Sequence, residues 1–123
     1  GPARVWIDAE MTMPGLAMAR SIGDHLVKSV GVSAEPEVRT FCLNKQGYAG
    51  AEPIIVLASD GVWEFIESEE AVALISKYLP DSTTACTKLI ETAAAKWRQE
   101  EGDYRDDITA ILLRLDHVVA LMK

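Results

Sequence analysis

The sequence predicts an α+β chain, and three features predict it. Two nearly continuous apolar runs, 53–58 and 108–115, have the length and β-branched content of buried strands. Between them lie two stretches with helical spacing of apolar residues, 68–79 and 82–101. An alternating stretch, 37–43, reads as a further strand, with Val38, Thr40 and Cys42 on one side and Arg39, Phe41 and Leu43 on the other.

Length and composition set the bounds. A chain of 123 residues suits one domain, and 49% hydrophobic with 25% charged residues is ordinary for a soluble globular protein. A net charge of −7 argues against non-specific nucleic-acid binding and against a polybasic membrane contact. No apolar run reaches the ~18 residues of a membrane helix. The segment Met11 to Ala19 lacks the basic leader and long apolar core of a signal peptide. Cys42 and Cys86 fit no metal or redox spacing, so free thiols are expected, in an intracellular, cytoplasmic or nuclear setting. Gly1-Pro2 reads either as a protease scar or as native sequence. In both cases the chain is expected to be part of a longer protein.

In chain order, Val5 to Ile7 suggests a short strand over 4–7, and Met11 and Met13 suit core gaps. Pro14-Gly15 makes a turn, Leu16 to Ser21 is short helix or irregular, and Gly23-Asp24 closes the segment. Arg20 and Asp24 lie four apart and pair if the segment is helical. An arginine beside a glycine-rich turn also suits phosphate. Residues 25–36 lack periodicity and read as a loop, with His25 a lone histidine in a surface or packing role. Residues 44–52 contain Gly47 and Gly50 and read as a long hairpin loop joining the 37–43 strand to the 53–58 strand.

The run 53–58 ends in Ser59-Asp60-Gly61, which are turn formers. The strand thus delivers the Asp60 carboxylate to its carboxyl end, where Gly61 allows close approach. Asp60 is either a turn cap or part of a metal or phosphate site. Ser68 is the expected N-cap of the next helix, with Glu69 and Glu70 in its first turn. Val72, Ile75 and Leu79 form its apolar face, with Leu74 and Tyr78 alongside, and Pro80 stops it. Asp81 or Ser82 caps the second helix, where Ala85, Leu89, Ala93 and Trp97 recur as one buried stripe. Glu100, Glu101 and Gly102 end it.

Asp106 and Asp107 precede the final strand. If that strand pairs antiparallel with 53–58, Asp60 and Asp106 meet at one end of the sheet. Two carboxylates brought together repel unless a cation or proton lies between them. A hard oxygen-loving ion such as Mg²⁺ or Mn²⁺ suits them. The alternative is a pair of solvated turn acids.

Three blocks, in order, carry a family resemblance. The first is GPARVW followed by PGLAMARSIGD, with Ala19 where serine is usual. The second is EPEV and then PIIVLASDGVWEFI. The third is RDDITAILLRL. Together they resemble the metal-dependent protein phosphatases of the PPM, or type-2C, family, over residues 1 to about 115. The resemblance implies part of a two-layer antiparallel β-sandwich flanked by helices, here incomplete. It also implies that Asp60 and Asp106 ligate one of two divalent ions, Mg²⁺ or Mn²⁺. In the family these ions share a hydroxide that attacks the phosphorus of phosphoserine or phosphothreonine in a phosphoprotein substrate. Asp107 then lies outside the ligand sphere, and Asp24, Gly61 and Arg20 are structural or outer-sphere. No catalytic side chain beyond the metal ligands is assigned, and residues 24–36 match a variable flap region, here very short.

The family's amino-terminal half does not match here. It includes the D-G-H-G-G block, the phosphate-binding arginine and a G-D-S-R acid. The chain is therefore expected to be inactive alone, and either a phosphatase fragment or a catalytically dead interaction or regulatory module of the same fold. Half a sandwich leaves strand edges and an apolar face uncovered, which predicts a homodimer or strand-swapped oligomer.

Overall fold

The computed structural model describes residues 3–13, 15–41 and 53–116. The chain divides into two compact units, 1–42 and 43–123.

In the first unit, one antiparallel bridge between Val5 and Leu16 stands where a strand over 4–7 was expected. Arg4 donates to the Gly15 carbonyl at 2.8 Å. The Trp6 ring covers Gly15 so closely that a Cβ there would lie 2.8 Å from it. Asp8 closes its own loop by accepting from the Thr12 hydroxyl and from the Thr12 N–H at 3.0 Å. Leu16 to Ser21 is irregular, and Arg20 bridges to Ser33 in parallel fashion. The expected loop at 25–36 contains a short helix, α1 (His25–Lys28). Burial of Val27 and Val32 holds this segment together, which local periodicity over so few residues does not reveal. His25 is exposed.

The alternation over 37–43 is not a strand in its described part. Val38 and Phe41 are 83% and 73% exposed, and 34–41 joins no ladder. Alternation marks a surface suited to a sheet, but a strand exists only where a neighbour supplies its hydrogen bonds. The described partner of the 53–58 strand is the run 110–114, and among the described residues 37–41 pair with no strand, against the expected hairpin. The 44–52 connection and Cys42 lie outside the described residues; Cys86 is a free thiol.

The second unit runs β1 (Ile54–Ala58), α2 (Asp60–Trp63), α3 (Ser68–Ser76), α4 (Ser82–Glu101) and β2 (Ala110–Arg114). β1 and β2 pair antiparallel, with Ile54 opposite Arg114, Val56 opposite Leu112 and Ala58 opposite Ala110. These residues face the helices, whose buried core is Val62, Ile66, Ala71, Ile75, Ala85, Leu89 and Ala93. Both strands are thus buried on one face only, against the expectation of fully buried strands. On the outer face Ile55, Leu57, Ile111 and Leu113 are 37–54% exposed and form two directly opposed pairs, Ile55–Leu113 and Leu57–Ile111.

The helices differ from expectation at their edges. Glu67 occupies the N-cap of α3 without a side-chain cap bond, and Ser68 is the first helical residue. Val72 is 46% exposed; Ala71 and Ile75, four residues apart, face the core instead. α3 ends at Ser76, and a turn leads to Pro80. In α4 the expected stripe of Ala85, Leu89, Ala93 and Trp97 is the buried set, and Gly102 ends the helix at φ 66°. Such a positive φ favours glycine.

Asp81 is the N-cap of α4. It accepts from the Thr84 hydroxyl at 2.6 Å and the Thr84 N–H at 3.0 Å, and these two bonds hold its carboxyl below the usual carboxylate range. The native pKa is the lower one, so the carboxylate contributes stability above about pH 4 and loses it as pH falls through the native value. Asp81→Ala should therefore lower the unfolding temperature at neutral pH, and its difference from wild type should shrink in acid. Melting curves from about pH 7 down to about pH 3 check this. A deficit that stays constant down to that pH would count against the assignment.

Candidate functional site

β1 delivers the chain to Ser59, and the backbone around this residue is cross-linked to the segment leading into β2. The Ser59 N–H donates to the Thr109 carbonyl at 3.0 Å. The Ser59 hydroxyl donates to the Asp107 carbonyl at 2.9 Å and accepts from the Thr109 N–H at 3.1 Å. Ser59 occupies the N-cap position of α2 but makes no side-chain cap bond, because its hydroxyl serves the neighbouring segment. Asp60 follows as the first residue of α2, which places it and Asp106–Asp107 at the same end of the sheet.

Gly61 is held more tightly still. A Cβ on it would lie 2.3 Å from the Asp107 carbonyl oxygen and 3.1 Å from the Ile108 Cα. Only a glycine allows this approach, so the close contact expected beside Asp60 is made with the other acid-bearing segment. The Gly61 carbonyl accepts from the indole N–H of buried Trp97 at 2.7 Å. Trp63 donates its indole N–H to the Ala58 carbonyl at 3.0 Å. The Asp60 main chain is therefore fixed on both sides.

The carboxylates themselves face solvent. Asp60 is exposed, and its side chain has no hydrogen-bond partner among the described residues. It is thus not a side-chain cap of the turn. Asp106 is exposed and accepts through Oδ1 from the Asp107 N–H at 2.7 Å. Two hard carboxylate donors at one sheet end suit Mg²⁺ or Mn²⁺ better than a soft metal. They are not a full ligand set: among the described residues no three aspartates, glutamates, histidines or cysteines gather in a metal-holding arrangement.

Asp24 and Arg20 belong to the first unit, and they do not pair with each other. Arg20 makes an ion pair with Glu37 at 2.7 Å, with both side chains about half exposed or more. Such a surface pair contributes roughly 0–1 kcal/mol. Asp24 is exposed, at φ 48° in the left-handed region, so the helical register that would align it with Arg20 does not exist.

Sequence reasoning missed Ser59 and Trp97 as parts of this site, taking one for a turn former and the other for core stripe alone. The signal for Trp97 was available, because a buried indole N–H needs an acceptor. That the acceptor is the residue beside Asp60 required the tertiary structure.

A family model described as Protein phosphatase 2C matches residues 4–102. Probable protein phosphatase 2C 12 of Oryza sativa subsp. japonica is 39% identical over 121 residues, covering 97% of this chain and 29% of that protein. Probable protein phosphatase 2C 18 of Arabidopsis thaliana is 36% identical over 121 residues, covering 97% of this chain and 23% of that protein. The crystal structure of serine-threonine phosphatase 2C from Toxoplasma gondii superimposes with a TM-score of 0.65 at 25% identity, over 80% of this chain and 29% of that one. The chain thus spans 23–29% of the length of these two plant relatives. The fold is α+β with an incomplete antiparallel sheet, as the resemblance implied.

Proposed function

Because this chain belongs to the protein phosphatase 2C family, we propose that it is the carboxyl-terminal part of the catalytic domain of a metal-dependent serine/threonine protein phosphatase. The parent hydrolyses phosphomonoesters on phosphoprotein substrates. The observation that carries this reading is the Ser59 cross-link, which holds Asp60 and the Asp106–Asp107 segment at one sheet end.

In this proposal Asp60 and Asp106 hold a divalent ion, Mg²⁺ or Mn²⁺, with other ligands from water and from parts of the parent outside this chain. When bound, such an ion supplies Lewis acidity toward a phosphoryl oxygen and lowers the pKa of coordinated water. Ser59, Gly61 and Trp97 keep the two acid-bearing segments in register. Asp107 lends its main chain to the cross-link and its N–H to Asp106.

The test is thermal unfolding with and without millimolar Mn²⁺. An ion that binds only the folded chain raises the midpoint. The rise is expected in wild type and should vanish in Asp60→Asn and in Asp106→Asn. No rise in wild type would remove the metal assignment from this chain. The polypeptide alone is expected to release no phosphate from phosphopeptides, because two acids cannot hold a two-metal clamp.

A second reading, a non-catalytic interaction module, is favoured by the outer face of the sheet. Ile55, Leu57, Ile111 and Leu113 there are large, apolar and partly exposed. In the parent this face is proposed to pack on the rest of the sandwich. In the isolated chain a second copy can cover it, since a twofold interface uses the same four residues on both sides. Sedimentation at micromolar concentration should show a dimer or larger species for wild type. The Leu57→Glu/Ile111→Glu pair should shift it toward monomer, and a monomeric wild type would exclude self-association.

A further inference from the structure

α4 presents Glu91, Ala94, Ala95 and Arg98 toward a cleft of about 750 Å³, whose other wall is the loop from Gly102 to Arg105. These helix positions share one face, being three, four and seven residues from Glu91. The small residues Ala94, Ala95 and Gly102 leave room for a peptide backbone. Tyr104 is 64% exposed, and its ring meets Trp97 edge to face at 5.8 Å.

Arg98 and Arg105 both line this cleft, and neither guanidinium has a hydrogen-bond or ion-pair partner among the described residues. Two carboxylates also line it. Glu91 is already held by Lys88 at 2.7 Å, which leaves Asp103 as the unpaired acid. Within the lining, two guanidinium groups without partners thus stand against one carboxylate without one, with Glu100, Glu101, Asp106 and Asp107 flanking the cleft in sequence, in a chain whose net charge is −7. Arg98 also lies in the last turn of α4, where a cation offsets the negative helix end. Arg105 has no such structural duty.

We infer that this cleft binds a phosphoryl group carried on a peptide. A phosphoryl dianion matches two guanidinium forks in charge and in planar hydrogen-bond geometry. Arg105 immediately precedes Asp106, so the cleft adjoins the end of the sheet where the acids lie. A substrate whose scissile phosphate sits at Asp60 and Asp106 can reach the cleft with a second phosphorylated residue. This last step rests on the phosphatase reading; binding in the cleft does not. Substrates phosphorylated at neighbouring positions are the class selected.

The test titrates a phosphoserine peptide into ¹⁵N-labelled chain at low salt, with a chelator present to keep divalent ions out. Peptides with serine or glutamate at the same position, and inorganic phosphate, are titrated in parallel. Shifts are expected at Ala94, Ala95, Arg98, Tyr104 and Arg105, with the phosphopeptide binding at least tenfold tighter than the serine peptide or free phosphate. Arg98→Ala and Arg105→Ala should each weaken it about tenfold, and Arg98→Lys should recover part of the loss. Both arginines are exposed, so Arg105→Ala should keep the wild-type melting midpoint, and Arg98→Ala should lose only the small contribution of a cation at the helix end. Asp60→Asn and Asp106→Asn should bind the phosphopeptide as wild type does, whatever the outcome with Mn²⁺. Binding unchanged in the double arginine variant would overturn the inference. So would no preference over the serine peptide, free phosphate binding as tightly as the phosphopeptide, or loss of binding in the aspartate variants.

Discussion

Trp97→Ala is expected to remove about 3–5 kcal/mol of stability, the range for deleting a buried aromatic side chain. Trp97 is 7% exposed and sits between Phe65, at 4.8 Å between ring centres, and Tyr104, at 5.8 Å, both edge to face. Its indole N–H also satisfies the Gly61 carbonyl at 2.7 Å. The alanine variant therefore loses apolar burial, two ring contacts and one buried hydrogen bond together. Native domains are stable by only about 5–15 kcal/mol, so a large unfolded fraction is expected for this variant at moderate temperature. Trp97→Phe separates the contributions. It keeps a ring near Phe65 but leaves the Gly61 carbonyl without its donor, which costs about 1–3 kcal/mol. Urea denaturation of the three proteins at neutral pH measures both differences. An alanine variant within about 1 kcal/mol of wild type would show that Trp97 is not a packing centre.

Gly61→Ala is the second large effect, expected at about 2–3 kcal/mol of destabilisation. The new Cβ would meet main-chain atoms of Asp107 and Ile108, at 2.3 Å and 3.1 Å, rather than the tip of a movable side chain. Relief requires the β2 lead-in to move away from α2, which breaks the Ser59 cross-link. That movement separates Asp60 from Asp106, so any Mn²⁺-induced rise in melting midpoint should shrink in this variant even where it remains folded. Serine at 61 should behave like alanine, because the obstruction is the Cβ itself. A Gly61→Ala protein as stable as wild type, with an undiminished response to Mn²⁺, would contradict the close approach.

The elements that were legible in the sequence are those whose signal is local and repeated. The Ala85–Leu89–Ala93–Trp97 stripe runs through more than three turns of one long helix, and each of its members is buried as the spacing requires. The Asp81 cap and the Gly102 stop stand at positions where side-chain chemistry and backbone freedom alone decide the outcome. The two apolar runs ending or beginning in acids were recognisable as strands, and their antiparallel pairing places Asp60 and Asp106 as that reading required.

Other features depended on partners distant in the chain. The alternation of 37–41 has the pattern of a strand with no strand neighbour among the described residues, whereas β1 and β2 find each other across more than fifty residues. The orientation of Val72 away from the core follows from which face of α3 meets α4 and the sheet, and its local spacing fitted either choice. Arg20 pairs with Glu37 rather than Asp24 because the segment between Arg20 and Asp24 is not helical. The sequence by itself determined the two longer helices, the cap and stop of α4, the two core strands and the identity of the acids. Tertiary structure alone decided that Ser59, Gly61 and Trp97 bind those acid-bearing segments together, because hydrogen bonds and close contacts between residues 36 to 50 positions apart leave no periodic mark on the chain.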